Sequence, residues 1–110
     1  NCDKPLLDPT QFMLMVYPVR KKWIKKIKSV VHIDESVRLQ VVTRNQNKLF
    51  YELIKQFGEK TGVPMLINTS FNVSGEPIVC TLNDAIKTFL NSGIDYLVIG
   101  NYLVSKKYSI

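Results

Sequence analysis

The sequence predicts an α/β fold, with a mixed twisted sheet and packed helices. Short apolar runs rich in β-branched residues recur along the chain. Three stretches between them carry apolar residues at helical spacing, and Gly or Pro marks most of the junctions. The 110 residues fit one domain or part of one, and a hydrophobic content of 45% is enough for a packed core.

In chain order, "FMLMVYPV" (12–19) is a continuous apolar run ended by Pro18 and reads as a buried strand. Residues 21–31 are basic, with Trp23, Ile24 and Ile27 at helical spacing, and predict a short helix. "VRLQVV" (37–42) reads as a second strand, with Val37, Leu39 and Val41 on one face. The clearest helix covers 47–61, where Leu49, Phe50, Leu53, Ile54 and Phe57 form a stripe; Gly62 is a suitable stop, with Pro64 beyond it. "PMLIN" (64–68) is then a strand. Thr81 can cap a further helix with Asp84 at its third position, Ala85, Ile86, Phe89 and Leu90 inward and Gly93 at its end. "YLVIG" (96–100) and "YLVSK" (102–106) are strands joined around Gly100-Asn101, a pair suited to a tight turn.

The net charge of +6 favours anionic partners, and Arg20, Lys21, Lys22, Lys25, Lys26 and Lys28 concentrate much of it. Such a run is usually a solvated face, although Trp23 within it could stack on a base. Cys2 and Cys80 lie far apart without metal-ligand spacing, and His32 is the single histidine, which reads as structural. A reducing, cytoplasmic compartment is the simplest expectation. No apolar run of membrane-spanning length and no signal-peptide pattern are present, so no membrane partner is expected. Cys80, next to the Thr81 cap, is expected to be a buried, inert thiol, and Glu76 before Pro77 a turn residue. The first residue is not Met, which predicts an excised or processed piece of a longer chain.

"NTSFNVSGEP" (68–77) stands out as a knot of small hydrogen-bonding side chains between an apolar run and a helix. In open α/β sheets ligands sit at that kind of junction. Asn68 and Asn72 offer amides, Thr69, Ser70 and Ser74 hydroxyls, and Gly75 allows close approach of backbone N–H groups to a ligand. These are donors for phosphate or carbonyl oxygens, without a nucleophile–base pair. The alternative is a turn whose Asn and Ser satisfy their own backbone.

The segment "TSFNVSGEP" resembles the signature of YrdC-like domains, and the run from Thr61 to Lys106 is similar to the C-terminal end of the NodU/CmcH group of O-carbamoyltransferases. "FMLMVYPVR" and "VHIDESVRLQVV" resemble the same group in the same order. The resemblance implies a partial YrdC-like domain over 1–110, the later portion of the part that makes carbamoyl-adenylate from carbamoyl phosphate and ATP, with Mg2+ accompanying the ATP. A large N-terminal part, carrying the transfer-site metal and the hydroxyl acceptor, would precede it, and the chain alone would be catalytically silent. By the same resemblance Arg38 matches an anion-contacting arginine, and Asn68, Thr69, Ser70, Asn72, Ser74 and Gly75 belong to the substrate- and nucleotide-binding element. Ser74 stands where these carbamoyltransferases often carry Arg, so local phosphate contacts differ. Two further readings stay open: a free-standing YrdC-like protein that modifies tRNA through threonylcarbamoyl-adenylate, and a basic nucleic-acid-binding module, although nucleic acid is not the expected partner. An uncovered sheet edge could pair with a second copy, which leaves a homodimer open.

Overall fold

The computed structural model describes residues 8–106. Cys2 lies outside the described residues. The fold is α/β, with three helices and two small antiparallel sheets among the described residues. The chain divides into two compact units, up to Ile67 and from Asn68 onward.

The first unit opens with a 3-10 turn, Pro9–Phe12, capped by the Asp8 carboxylate, which accepts from the Thr10 N–H at 2.9 Å. Pro suits the first helical position because it has no N–H to leave orphaned. Met13, at φ 55°, ends the turn in the left-handed region. The strand expected over 12–19 shrinks to β1, Val16–Pro18, paired antiparallel with β2, Ser36–Arg38, so that Tyr17 faces Val37. It is not buried as expected: Leu14 is 71% exposed and Val16 50%. An apolar run becomes a buried strand only where partners cover it, and β1 has a single ladder partner. β2 is likewise shorter than 37–42. Val37 is buried and Leu39 half-buried, while Val41 is exposed. Beyond β2 the chain still runs beside the first turn, with Val41 N–H donating to the Thr10 carbonyl at 2.9 Å.

The helix expected over 21–31 is a single turn, α1, Lys21–Ile24, followed by a 3-10 turn at Lys28–Val30. Arg20 supplies no side-chain cap, and lysines crowd the positive end of the helix dipole. Lys21 and Lys25, and Lys22 and Lys26, would repel at i,i+4 in a longer helix. Ile27 is nonetheless buried, and the Lys26 ammonium sits 5.2 Å over the Trp23 ring.

α2, Lys48–Thr61, forms as expected. The Asn47 side chain accepts from the Phe50 N–H at 3.0 Å, and Gly62 at φ 74° stops the helix with its N–H on the Gly58 carbonyl. Its apolar stripe is less covered than the pattern implied, with Leu49 84% and Leu53 54% exposed. Past Gly62 the chain turns back onto the helix: a Cβ on Gly58 would stand 2.6 Å from the Pro64 Cβ. Gly58 is therefore a close-approach glycine. No strand forms at 64–68, because the Met65 N–H is turned to the Val63 carbonyl at 2.8 Å and no ladder partner pairs with it among the described residues.

The second unit holds α3, Leu82–Asn91, with a complete capping box. Thr81 Oγ1 accepts from the Asp84 N–H at 3.2 Å, and the Asp84 carboxylate accepts from the Thr81 N–H at 2.9 Å. The inner face differs in part from expectation. Ala85, Thr88 and Phe89 are buried, whereas Ile86 and Leu90 are exposed. The helix ends at Ser92 rather than Gly93. β3, Tyr96–Ile99, and β4, Tyr102–Ser105, form the expected hairpin, with Gly100 at φ 57°. After β4, the Lys106 ammonium donates to the Ser92 carbonyl and lies 5.1 Å over the Phe89 ring, placing a cation at the negative end of α3.

Hydrogen bonds from the Thr81 hydroxyl, then from its N–H, hold the Asp84 carboxyl below its ordinary value of 3.8. A depressed folded-state pKa means that this contribution is present above the unfolded pKa and is lost as pH falls through the folded one. Thr81→Ala should destabilise by about 1 kcal/mol in denaturant titrations near neutral pH. The gap between Thr81→Ala and the unmutated chain should narrow on acidification below the ordinary carboxylate range.

Candidate functional site

The segment from Asn68 to Val79 has no regular secondary structure and is organised by one side chain. Asn72 Nδ2 donates to the Glu76 carbonyl at 3.0 Å and to the Val73 carbonyl at 3.3 Å. Glu76 N–H in turn donates to the Val73 carbonyl at 3.0 Å, closing a four-residue turn, and Val79 N–H donates to the Phe71 carbonyl at 2.9 Å. Gly75 takes the third turn position at φ 86°, where type II turns need positive φ. No atom beyond its chain neighbours lies within 4 Å of where a Gly75 Cβ would stand, so conformation, rather than crowding, calls for glycine.

Asn72 therefore does what the turn reading anticipated and satisfies the loop's own backbone. The other hydroxyls are left over. Thr69, Ser70 and Ser74 are exposed, and their hydroxyls make no hydrogen bond among the described residues. Asn68, also exposed, begins the segment, and Glu76 is the turn residue that the sequence predicts. Phe71, Asn72 and Val73 are half-buried. The outcome is a turn closed by its own hydrogen bonds, with the Thr69, Ser70 and Ser74 hydroxyls exposed.

Arg38 belongs to the first unit. It ends β2, opposite Val16, and is exposed. The ion pairs among the described residues join Arg44 to Glu52 and Lys55 to Glu59, so the Arg38 guanidinium has no carboxylate partner there. An exposed, unpaired guanidinium keeps its full fork for an anion.

Immediately before Arg38 lies a cluster that reading His32 by itself had missed. Asp34 Oδ1 accepts from the Ser36 N–H at 3.1 Å and from Ser36 Oγ at 2.5 Å, while His32 Nδ1 lies 3.0 Å from the same Oγ. The Ser36 hydroxyl, then its backbone N–H, holds the Asp34 carboxyl below the usual range. Glu35 at φ 60° makes the turn that lets these side chains meet. No sequence signal announces it, because these side chains meet through a turn, with Glu35 N–H donating to the His32 carbonyl at 3.0 Å, and not through strand alternation. Cys80, expected to be buried, is an exposed free thiol. Trp23 is half-buried beneath Lys26 rather than standing clear as a stacking platform.

The family model described as carbamoyltransferase C-terminus matches residues 3–106. The chain belongs to the carbamoyltransferase C-terminus family. The NodU-group resemblance drawn from the motifs is thus borne out. This carbamoyltransferase C-terminal chain is 47% identical over 96 residues to nodulation protein NolNO of Sinorhizobium fredii, covering 87% of the chain and 14% of that protein. It is 42% identical over 96 residues to nodulation protein NolO of Bradyrhizobium diazoefficiens, covering 87% and 18%. An uncharacterized protein of Methanocaldococcus jannaschii is 42% identical over 106 residues, covering 94% of the chain and 21% of that protein. The chain thus spans about a fifth or less of the length of these relatives. No helix among the described residues is long and apolar enough to cross a membrane.

Asn72→Asp keeps the side-chain size and removes both N–H donors. The Glu76 and Val79 amides should then exchange hydrogen faster, while the α3 amides stay protected, as followed by amide exchange. Gly75→Ala should cost about 1 kcal/mol, because alanine resists positive φ.

Proposed function

We propose that the chain is the later portion of the carbamoyl-adenylate-forming part of an O-carbamoyltransferase, in which Arg38 and the 68–75 loop bind the anionic oxygens of carbamoyl phosphate and ATP. The observation that carries this reading is the Asn72-stapled turn, which leaves the Thr69, Ser70 and Ser74 hydroxyls unpaired and exposed. Family membership supplies the carbamoyl chemistry.

Making carbamoyl-adenylate from carbamoyl phosphate, ATP and water releases inorganic phosphate from the first and pyrophosphate from the second; both reactants are anions, so catalysis lies mostly in positioning them and neutralising negative charge. Arg38 offers a bidentate fork to phosphate or carboxylate oxygens. The Ser70 and Thr69 hydroxyls supply neutral donors, and Gly75 permits backbone N–H groups to approach. The Asn72 staple keeps these donors in place without reorganisation at the moment of reaction. ATP arrives with Mg2+. The carbamoyl group then passes to a hydroxyl acceptor in an N-terminal part that carries the transfer-site metal. The relatives' much greater length supports this multi-part reading over a free-standing tRNA-modifying enzyme. Trp23, already covered by Lys26, gives no support to the nucleic-acid module. A cytoplasmic location belongs to the same reading.

In the full-length protein, Arg38→Ala should remove about 2–4 kcal/mol of transition-state stabilisation from adenylation. Ser70→Ala should remove about 1–3 kcal/mol. Thermal melts should be unchanged, because both residues are exposed. Transfer from pre-formed carbamoyl-adenylate should suffer less than adenylation. Pyrophosphate release measured alongside transfer gives both rates, and near-normal adenylation in both variants would contradict the assignment.

A further inference from the structure

The Ser36 hydroxyl has one proton, and the 2.5 Å contact with Asp34 uses it. Asp34 stays ionised, because its carboxyl is held below the usual range. Ser36 Oγ can therefore only accept from His32, and the ring nitrogen 3.0 Å away, Nδ1, must carry a hydrogen. That sets the tautomer of neutral His32: Nδ1 is the donor, and Nε2 holds a bare lone pair on an exposed ring. A backbone bond reinforces the arrangement, with His32 N–H donating to the Ser36 carbonyl at 2.8 Å.

The location matters as much as the tautomer. Ser36 and Arg38 alternate along β2, so both lie on the face opposite Val37, about 7 Å apart along the strand. A ligand whose anionic oxygens meet Arg38 can thus present a neighbouring group to His32. Arg38 offers only donors, so an acceptor beside it must serve a different part of the ligand.

We propose that His32 is a specificity-determining contact whose Nε2 accepts a hydrogen bond from the amino group of the carbamoyl moiety. This inference rests on the adenylation reading above. Carbamoyl phosphate and acetyl phosphate share the mixed anhydride and the phosphate, and differ by an amino group in place of a methyl. Donors for the shared oxygens cannot tell them apart, whereas a fixed acceptor can, because the methyl leaves a polar atom unpaired.

Two measurements test it. The chain has one histidine, so a long-range proton–nitrogen NMR spectrum of the labelled chain reads its imidazole without overlap. With the ring neutral, the proton should reside on Nδ1 and should move to Nε2 in Ser36→Ala. A proton on Nε2 in the unmutated chain would overturn the inference. In the full-length protein, the ratio of kcat/KM for carbamoyl phosphate over acetyl phosphate, read as pyrophosphate release, should fall roughly 10- to 100-fold in His32→Phe. His32→Gln, which keeps a carbonyl acceptor, should restore part of the ratio, and it stands in should the Phe variant fail to fold. An unchanged ratio in folded His32 variants that still use carbamoyl phosphate would refute the role of His32 and leave the adenylation reading intact. No pyrophosphate release by the unmutated full-length protein would refute that reading, and the inference with it.

Discussion

The two hydrogen bonds donated by Asn72 decide what the 68–75 loop can do. Loop carbonyls left unpaired would compete for any incoming donor and let the turn move. With Asn72 satisfying Val73 and Glu76 from within, the serine and threonine hydroxyls need not turn inward to do so. Phe71 and Val73 are half-buried, and Gly75 supplies the one backbone conformation that closes the turn. The exposure of the loop's hydroxyls thus goes with a structural use of one of its own polar side chains.

A similar division of labour appears in the first unit. Ser36, Asp34 and His32 satisfy one another, whereas Arg38, two residues on, has no carboxylate partner among the described ion pairs. In both places a closed set of hydrogen bonds stands beside an open set of donors. Hydroxyl and carboxylate chemistry is spent on orientation, and the groups best suited to anionic oxygens are left exposed. The basic run at 20–28 is organised otherwise: Lys26 covers Trp23, and the neighbouring lysines shorten α1.

The elements legible in the sequence are those whose causes are local. Asn47 and Gly62 bound α2, Thr81 and Asp84 box α3, and Gly100 turns the last hairpin, each through residues within four positions of one another. Apolar runs without such signals misled. The runs at 12–19 and 64–68 have strand composition, but a strand also needs a ladder partner, which composition does not report. Gly58 carries no sequence signal of its own, because its reason is Pro64, brought close by the αL stop between them. Within the candidate site, the turn at Gly75 was readable, whereas Arg38 ends β2 instead of opening a longer strand and no strand leads into Ser70. The role of Asn72 was not readable, since an amide suits a ligand and a backbone carbonyl equally well. Nor was the Ser36 bridge, which depends on the left-handed turn at Glu35.

The central claim is that Arg38 and the 68–75 loop each bind anionic oxygens of the substrates. A crystal structure of the full-length protein with carbamoyl phosphate and a non-hydrolysable ATP analogue tests it directly. The account predicts Ser70 Oγ and the Arg38 guanidinium at hydrogen-bonding distance, about 2.7–3.2 Å, from oxygens of the bound ligands. Ligands bound elsewhere, with Arg38 and Ser70 both in open solvent, would contradict it.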